Sequence, residues 1–269
     1  MSVAILLSVY KPQEEKLIRT IQSIKYQTYS NWKLIIILDG CPRKKVLNIV
    51  NKYLNSDMVK VIELKQNIGL TSALNVGSRA VNEEFIARID DDDEWESNHL
   101  EDSISYLESN KKTHVIGSSF VLINNNTKQS IKIKTNNAWY RALFGGKCAP
   151  HSSLVFRTDS FNQVKGYSEH QKRAQDRSII LKLCNKFGLK AFTILISTNV
   201  KIYRSNKSLS SGPNQRFYSS IARLSILGKE LSDSQILYLN KKYKVFEKAG
   251  LKNKFILAFF YLLTPLNDK

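Results

Sequence analysis

Cysteine is scarce in this chain. Cys41, Cys148 and Cys184 are far apart, odd in number and form no C-x-x-C. That argues against a disulfide framework and a cysteine zinc site, and suits a reducing compartment. Long apolar runs are missing too. No segment reaches the roughly 18 to 20 apolar residues of a membrane-crossing helix. Residues 2–9 are apolar, but no basic stretch precedes them and Tyr10-Lys11-Pro12 follows in place of a small-residue cleavage site. They read as a first buried strand rather than a secretory leader, and the expected location is the cytoplasm. Neither G-x-x-x-x-G-K-[ST] nor a G-x-G-x-x-G after the first strand occurs. Ordinary P-loop kinases and ATPases and Rossmann dehydrogenases are thereby excluded. Acidic residues are in the minority, 23 Asp+Glu against 41 Lys+Arg, for a net charge of +18. Such a balance calls for an anionic partner: nucleic acid, anionic lipid or a phosphorylated ligand.

What is present is globular. Hydrophobic residues make up 42% and charged residues 24% of the 269, enough for one large domain or a domain with an appendage. Apolar runs and periodicity predict strands at 3–9, 32–38, 59–64 and 85–89. Helices are predicted at 13–26, 42–54, 70–81 and 98–109. Strict alternation of this kind implies an α/β fold with a mostly parallel central sheet and helices on both faces. Beyond residue 110 the pattern loosens. Strands are expected at 115–123 and 130–134 around a polar turn at 124–126, a short strand at 154–156, and a helix at 178–187. From about residue 209 the chain reads as a basic, helical C-terminal appendage. The division is a domain over 1–205, with halves 1–110 and 111–205, and an appendage over 206–269.

The run Asp90-Asp91-Asp92-Asp93-Glu94-Trp95 is the strongest anomaly. A basic protein has crowded five acids directly behind the apolar Phe85-Ile86-Ala87. A divalent cation would compensate them; an acidic turn capping the next helix near Ser97 is the alternative. Ligands of α/β sheets bind beyond the carboxyl ends of the strands. Tyr10, Asp39, Lys65 and Asp90 to Asp93 all fall just past such ends, which favours a site over a charged turn. Mg2+ and Mn2+ take oxygen ligands, usually one or two carboxylates plus substrate phosphates. Asp90 and Asp92, two residues apart on an extended segment, can point the same way, and Asp93 extends the set.

Three further residues have two readings each. Asp39, followed by Gly40, can accept a hydrogen bond from a nucleobase or cap the helix that begins near Pro42. Asp176 can cap the helix it precedes or serve as a general base, with Arg173 and Arg177 keeping it ionised. His151 stands alone before a strand, where a structural hydrogen-bonding role is commoner than catalysis.

Together these residues resemble a known family. Ser8-Val9-Tyr10-Lys11-Pro12, Gln27-Thr28-Tyr29, Leu38-Asp39-Gly40, Asn67-Ile68-Gly69-Leu70, Ala73-Leu74-Asn75-Val76-Gly77, Ile86-Ala87-Arg88-Ile89 with the four aspartates, and His151-Ser152-Ser153-Leu154-Val155-Phe156-Arg157 are similar in order and spacing to bacterial family-2 glycosyltransferases. These are GT-A (Rossmann-like) enzymes of O-antigen, capsule and exopolysaccharide assembly, and the likeness covers about residues 1–205. It implies inverting transfer from a nucleotide-sugar, usually a UDP-sugar, with Mn2+ or Mg2+. By motif position Asp90, Asp92 and Asp93 would serve metal and diphosphate, and Asp39 the base. Tyr10, Pro12, Lys65 and Asn67 would complete the donor site. Asp176 would be the catalytic base, and Trp95, His151 and Arg173 would lie toward the acceptor. Two positions depart from the family: Gln175 stands where Glu usually precedes the catalytic aspartate, and Leu38 where Asp often precedes Asp39.

The family also implies a lipid-diphosphate-linked acceptor. That would explain the lysines at 241, 242, 244, 248, 252 and 254 ahead of the apolar run Phe255 to Leu263. Such a run is too short to span a bilayer but long enough to lie in the cytoplasmic membrane surface; a helix packed on the core is the other reading. A nucleotidyltransferase is the rival enzyme, disfavoured by the lack of a glycine-rich loop after the first strand. A basic binding module is the non-enzymatic rival, and it gives the aspartates no use. Nucleic acid is therefore not expected as a partner.

Overall fold

A computed structural model describes residues 1–124, 127–133, 138, 139, 142, 148–204 and 215–223. The first half is the expected alternation: β1 (Val3–Val9), α1 (Glu14–Lys25), β2 (Trp32–Asp39), α2 (Arg43–Tyr53), β3 (Val59–Leu64), α3 (Leu70–Ser78) and β4 (Phe85–Asp90). These four strands are parallel, in the order β3-β2-β1-β4. Residues 3–7 and 34–38 are continuous apolar runs almost fully buried, as strands covered on both faces must be. Helix α1 places Glu14 and Glu15 in its first turn and Lys25 in its last, matching the helix dipole. Helix α3 packs closely on β2. A Cβ on Gly77 would come 2.6 Å from Ile37 Cδ1, so a larger residue there would force the Ile37 side chain to shift.

The second half makes the sheet mixed. After β5 (Glu94–Trp95) and α4 (His99–Ser109) come β6 (Val115–Asn124), β7 (Thr127–Ile131), β8 (Val155–Arg157), α5 (Thr158–Gln163), α6 (Gln175–Phe187), β9 (Phe192–Arg204) and α7 (Gln215–Arg223). Strand β8 runs antiparallel between β4 and β6, β9 pairs parallel with β6, and β5 closes the far edge against β9.

Three of these elements, β5, α5 and β9, lie outside the sequence expectations. Strand β9 is 13 residues long, but its pairing with β6 shifts register around Ser118 and Ser119, which breaks the alternation a sequence pattern needs. Strand β7 starts at Thr127 rather than 130, because the Asn124–Thr127 pair sets the hairpin register. Helix α7 packs against α6, so the described part of the appendage lies on the domain. The basic stretch from Lys241 and the run Phe255 to Leu263 lie outside the described residues. Among the described residues no helix is long and apolar enough to cross a membrane.

Candidate active site

Sheet register brings the expected residues to one edge. Val9 is level with Leu38, Ser8 with Asp90 and Asp39 with Leu64, so Tyr10, Gly40, Lys65 and Asp91 leave the sheet side by side. Tyr10 and Lys65 are exposed, and Pro12 is buried. Lys11 adopts a left-handed φ of 53° and sets its ammonium 5.0 Å from the Tyr10 ring centroid.

The acidic run divides into anchors and free groups. Asp90 and Arg88 point to one face of β4 because they are two residues apart. The Arg88 side chain is 1% exposed and grips both oxygens of Asp90, which is 34% exposed. Burial works against the Arg88 charge, but Asp90 outweighs it and leaves the guanidinium above its ordinary pKa. The chain then turns, with Asp93 N–H donating to Asp90 C=O at 3.3 Å. Helix α1 secures the turn: Arg19 donates to Asp92 C=O at 3.0 Å and Thr20 to Asp93 C=O at 2.7 Å.

Asp93 faces inward at 4% exposure. Its oxygens accept from the Ser152 hydroxyl and from Tyr203 N–H. Expected toward metal and diphosphate, Asp93 here ties the turn to β9 and to residues 151–153, with one accepted bond on each oxygen. Glu94 is held by Lys201 at 2.6 Å and the Tyr203 hydroxyl at 2.8 Å. Trp95, expected toward the acceptor, is 2% exposed and donates its indole N–H to Ser152 C=O at 2.6 Å. It is a core post, not a binding surface. None of these acids caps α4, whose cap position is Asn98.

Two acids remain. Among the described residues, no other residue gives the carboxylates of Asp91 and Asp92 a hydrogen bond or an ion pair, Asp91 meeting only its own N–H, and both are half-buried. Burial, then Asp90 and Asp92, push the Asp91 carboxyl up to about 7. Burial, then Asp90, raises Asp92, against the pull of Lys16, Arg88 and Arg19. The turn is therefore short of positive charge. No cluster of three or more His, Cys, Asp or Glu forms a ready-made metal cage among the described residues. That donor set fits a hard cation that takes one or two carboxylates and completes its shell with water and phosphate oxygens.

Asp39 is 1% exposed and acts on the neighbouring loop. It accepts from Asn67 Nδ2 at 2.7 Å, Ile68 N–H at 2.7 Å and Gly69 N–H at 3.1 Å. The residue expected to meet the base thus holds the neighbouring loop, and it does not cap α2, which begins after Pro42 without a side-chain cap. Gly40 is required for this junction, because its φ is +71° and a Cβ would fall 2.4 Å from Asn67 N.

Asp176 is the second residue of α6 rather than its cap; that place is taken by Ala174, strained into a left-handed φ of 55°. Burial raises the Asp176 carboxyl, while its bond from Arg177 N–H and the charges of Arg177 and Arg88 hold it back. The expected depression by flanking arginines is thus outweighed. A raised carboxyl is a better proton acceptor. The Arg88 charge acts on both Asp90 and Asp176. Arg173 and Gln175 lie at the entry of the same helix, half-buried. His151 meets the Tyr167 hydroxyl through Nε2 at 2.8 Å.

Arg88, Ser152 and Tyr167 were not singled out from sequence. A lone arginine in the apolar Ile86-Ala87-Arg88-Ile89 was the one available signal, because a buried charge needs a partner nearby. Ser152 contacts Asp90, Asp93, Arg88 and Trp95 at once, from residues about sixty positions away.

Comparisons agree with this architecture. The crystal structure of S. aureus TarS in complex with UDP superimposes with a TM-score of 0.66, at 19% identity, over 88% of this chain and 68% of that one. The bifunctional glycosyltransferase pgtA of Dictyostelium discoideum is 26% identical over 91% of this chain and 36% of its own length. The amylovoran biosynthesis glycosyltransferase AmsE of Erwinia amylovora is 25% identical over 62% of this chain and 64% of its own length. The chain thus spans less than two thirds of these two curated relatives. A family profile described as glycosyl transferase family 2 matches residues 4–167, and since that is more than half of the sequence, the chain belongs to glycosyl transferase family 2.

Proposed function

We propose that this chain transfers a sugar from a nucleotide-sugar to an acceptor hydroxyl, with inversion, in the assembly of a surface polysaccharide. The observation that carries this reading is the pair of half-buried carboxylates Asp91 and Asp92, which no other described residue meets with a hydrogen bond or an ion pair, and the action of Arg88 on both Asp92 and Asp176. A nucleotide diphosphate accompanied by a cation relieves that crowding. The UDP complex of TarS supports uridine as the base, and the name of AmsE and the motif order support a polysaccharide product.

Asp92, with Asp90 fixed behind it, would hold Mn2+ or Mg2+; bound there, the cation neutralises charge on the departing diphosphate. The protein supplies the rest. Tyr10 offers an exposed ring at the donor edge, and the loop held by Asp39 presents Asn67 and Lys65. Asp176 takes the acceptor's proton as the hydroxyl oxygen attacks the anomeric carbon opposite the diphosphate. A single displacement needs one carboxylate base and no carboxylate nucleophile, unlike a retaining glycosidase. An α-linked donor gives a β-linked product. The acceptor is read as a lipid-diphosphate-linked sugar, met by the chain at the inner face of the cytoplasmic membrane.

A thermal-shift screen of UDP-, GDP- and dTDP-sugars with Mn2+ should single out one donor, whose transfer Asp176→Asn abolishes without loss of binding. Near-normal transfer by Asp176→Asn would remove that residue from the mechanism.

A further inference from the structure

Tyr167 is 3% exposed and fixed at every point of its length. Its N–H donates to Asn75 Oδ1 at 2.9 Å and its C=O accepts from Asn75 Nδ2 at 2.9 Å. Its ring lies edge-on to Phe156, Phe161 and His151. The only partner of its hydroxyl among the described residues is His151 Nε2, at 2.8 Å.

That pairing determines where the imidazole proton sits. If Nε2 carried the proton and donated to the phenol oxygen, the phenol hydrogen would be buried without an acceptor, a costly state. If the phenol donates to Nε2, both groups are satisfied and the ring proton resides on Nδ1. Burial and the Arg88 charge keep the imidazole neutral, and burial keeps the phenol protonated. Nδ1 meets no hydrogen-bond partner among the described residues.

We infer that Tyr167 is a positioning residue that locks His151 as the Nδ1–H tautomer, making His151 a hydrogen-bond donor to an oxygen of the bound substrate. The charge of Arg88 acts on the imidazole, and those of Arg88, Asp90 and Asp176 act on the Tyr167 hydroxyl bonded to it. With Nε2 occupied and Nδ1 protonated, His151 has no free lone pair with which to accept a proton. The base role stays with Asp176. The identity of the oxygen, on the donor sugar or on the acceptor, rests on the function proposed above; the tautomer does not.

The test is 15N-resolved NMR of the imidazoles in the full chain without substrate, the His151 signals being assigned with His151→Asn. A protonated Nδ1 and an unprotonated Nε2 are expected, and Tyr167→Phe should turn this into a mixture of tautomers. A protonated Nε2 in the wild-type chain overturns the inference with no variant needed. In steady-state transfer, His151→Asn keeps an N–H near the Nδ1 position and His151→Gln moves it to the Nε2 position. His151→Gln should therefore lose roughly 3- to 10-fold more kcat/KM than His151→Asn, the worth of one neutral hydrogen bond. A larger change in donor KM marks a donor-sugar oxygen, and a larger change in acceptor KM an acceptor oxygen. Equal losses in the two variants overturn the donor role. An Nδ1–H tautomer in a chain that transfers no sugar would refute the proposed function and leave the tyrosine's role standing.

Discussion

Asp90 should be essential to the fold before it is essential to any reaction. The Arg88 guanidinium is 1% exposed and, among the described residues, has Asp90 as its sole carboxylate partner. Its other contact among them is Ser152 Oγ at 3.4 Å, and its Nε meets none of them. Asp90→Ala would strand a buried cation, which costs about 3–5 kcal/mol. Because a third of the Asp90 side chain is open to water, screening places the expected value at the low end, about 3 kcal/mol. Domains are stable by about 5–15 kcal/mol, so this is a large fraction. With a urea slope of about 3 kcal/mol/M, the unfolding midpoint should fall by about 1 M.

Asp92→Ala should behave oppositely. Its carboxylate anchors nothing and is repelled by Asp90, so the midpoint should hold or rise while donor and Mn2+ binding are lost. A second replacement separates fold from site: Arg88→Met added to Asp90→Ala removes the stranded charge and should return most of the 3 kcal/mol, because apolar substitutes for buried ion pairs are often neutral or better. Urea unfolding of the wild type, Asp90→Ala, Arg88→Met and the double variant, followed by circular dichroism, measures the cycle. If Asp90→Ala unfolds within about 0.5 kcal/mol of the wild type, a range ordinary for surface changes, the pair is not the anchor described.

Two further outcomes are expected. His99 is fully buried beside Trp95 with neither ring nitrogen bonded among the described residues, and burial lowers its pKa to about 3. The unfolded chain takes up that proton below about pH 6.5 and the folded chain does not, so stability is lost as pH falls from 6.5 toward 3, by about 2 kcal/mol at pH 5. Comparing urea unfolding of His99→Leu and the wild type at pH 7.5 and 5 should show that difference, and parallel curves would refute it. Deletion from Phe255 should reduce recovery with membranes while leaving donor binding unchanged; unaltered fractionation would count against the interfacial tail.

The first ninety residues were legible because their signals are local. Apolar runs of fixed length separated by amphipathic helices leave one parallel arrangement, and the level ends of β1, β2 and β4 follow from it. The second half was less legible because its order comes from pairing over distance. Strand β9 meets β6 through a register shift, and β5 is two residues long and exists because Lys201 and Val200 lie opposite Glu94 and Trp95. The candidate site shows the same division. Asp176 and the acidic run could be read from position in the sequence. The occupancy of Asp39 by its neighbouring loop could not, because its partners stand about thirty residues on.

Five adjacent acids in a chain of net charge +18 look like a single ligand cluster, and the structure divides them. Like charges this close persist only if each is met by something positive or polar. Arg88 meets Asp90 from within the same strand, Ser152 and Tyr203 N–H meet Asp93, and Lys201 and Tyr203 meet Glu94. Those three acids bind β4 to the 151–153 turn and to β9, so they fix the loop in place. The two at the crest of the turn meet no such partner from another described residue, and their carboxyls are raised. A fold that satisfies three neighbours and leaves two unmet has put its uncompensated charge where a ligand can reach it. It has also pinned the loop carrying that charge, so the proposed cation and diphosphate would meet little ordering cost.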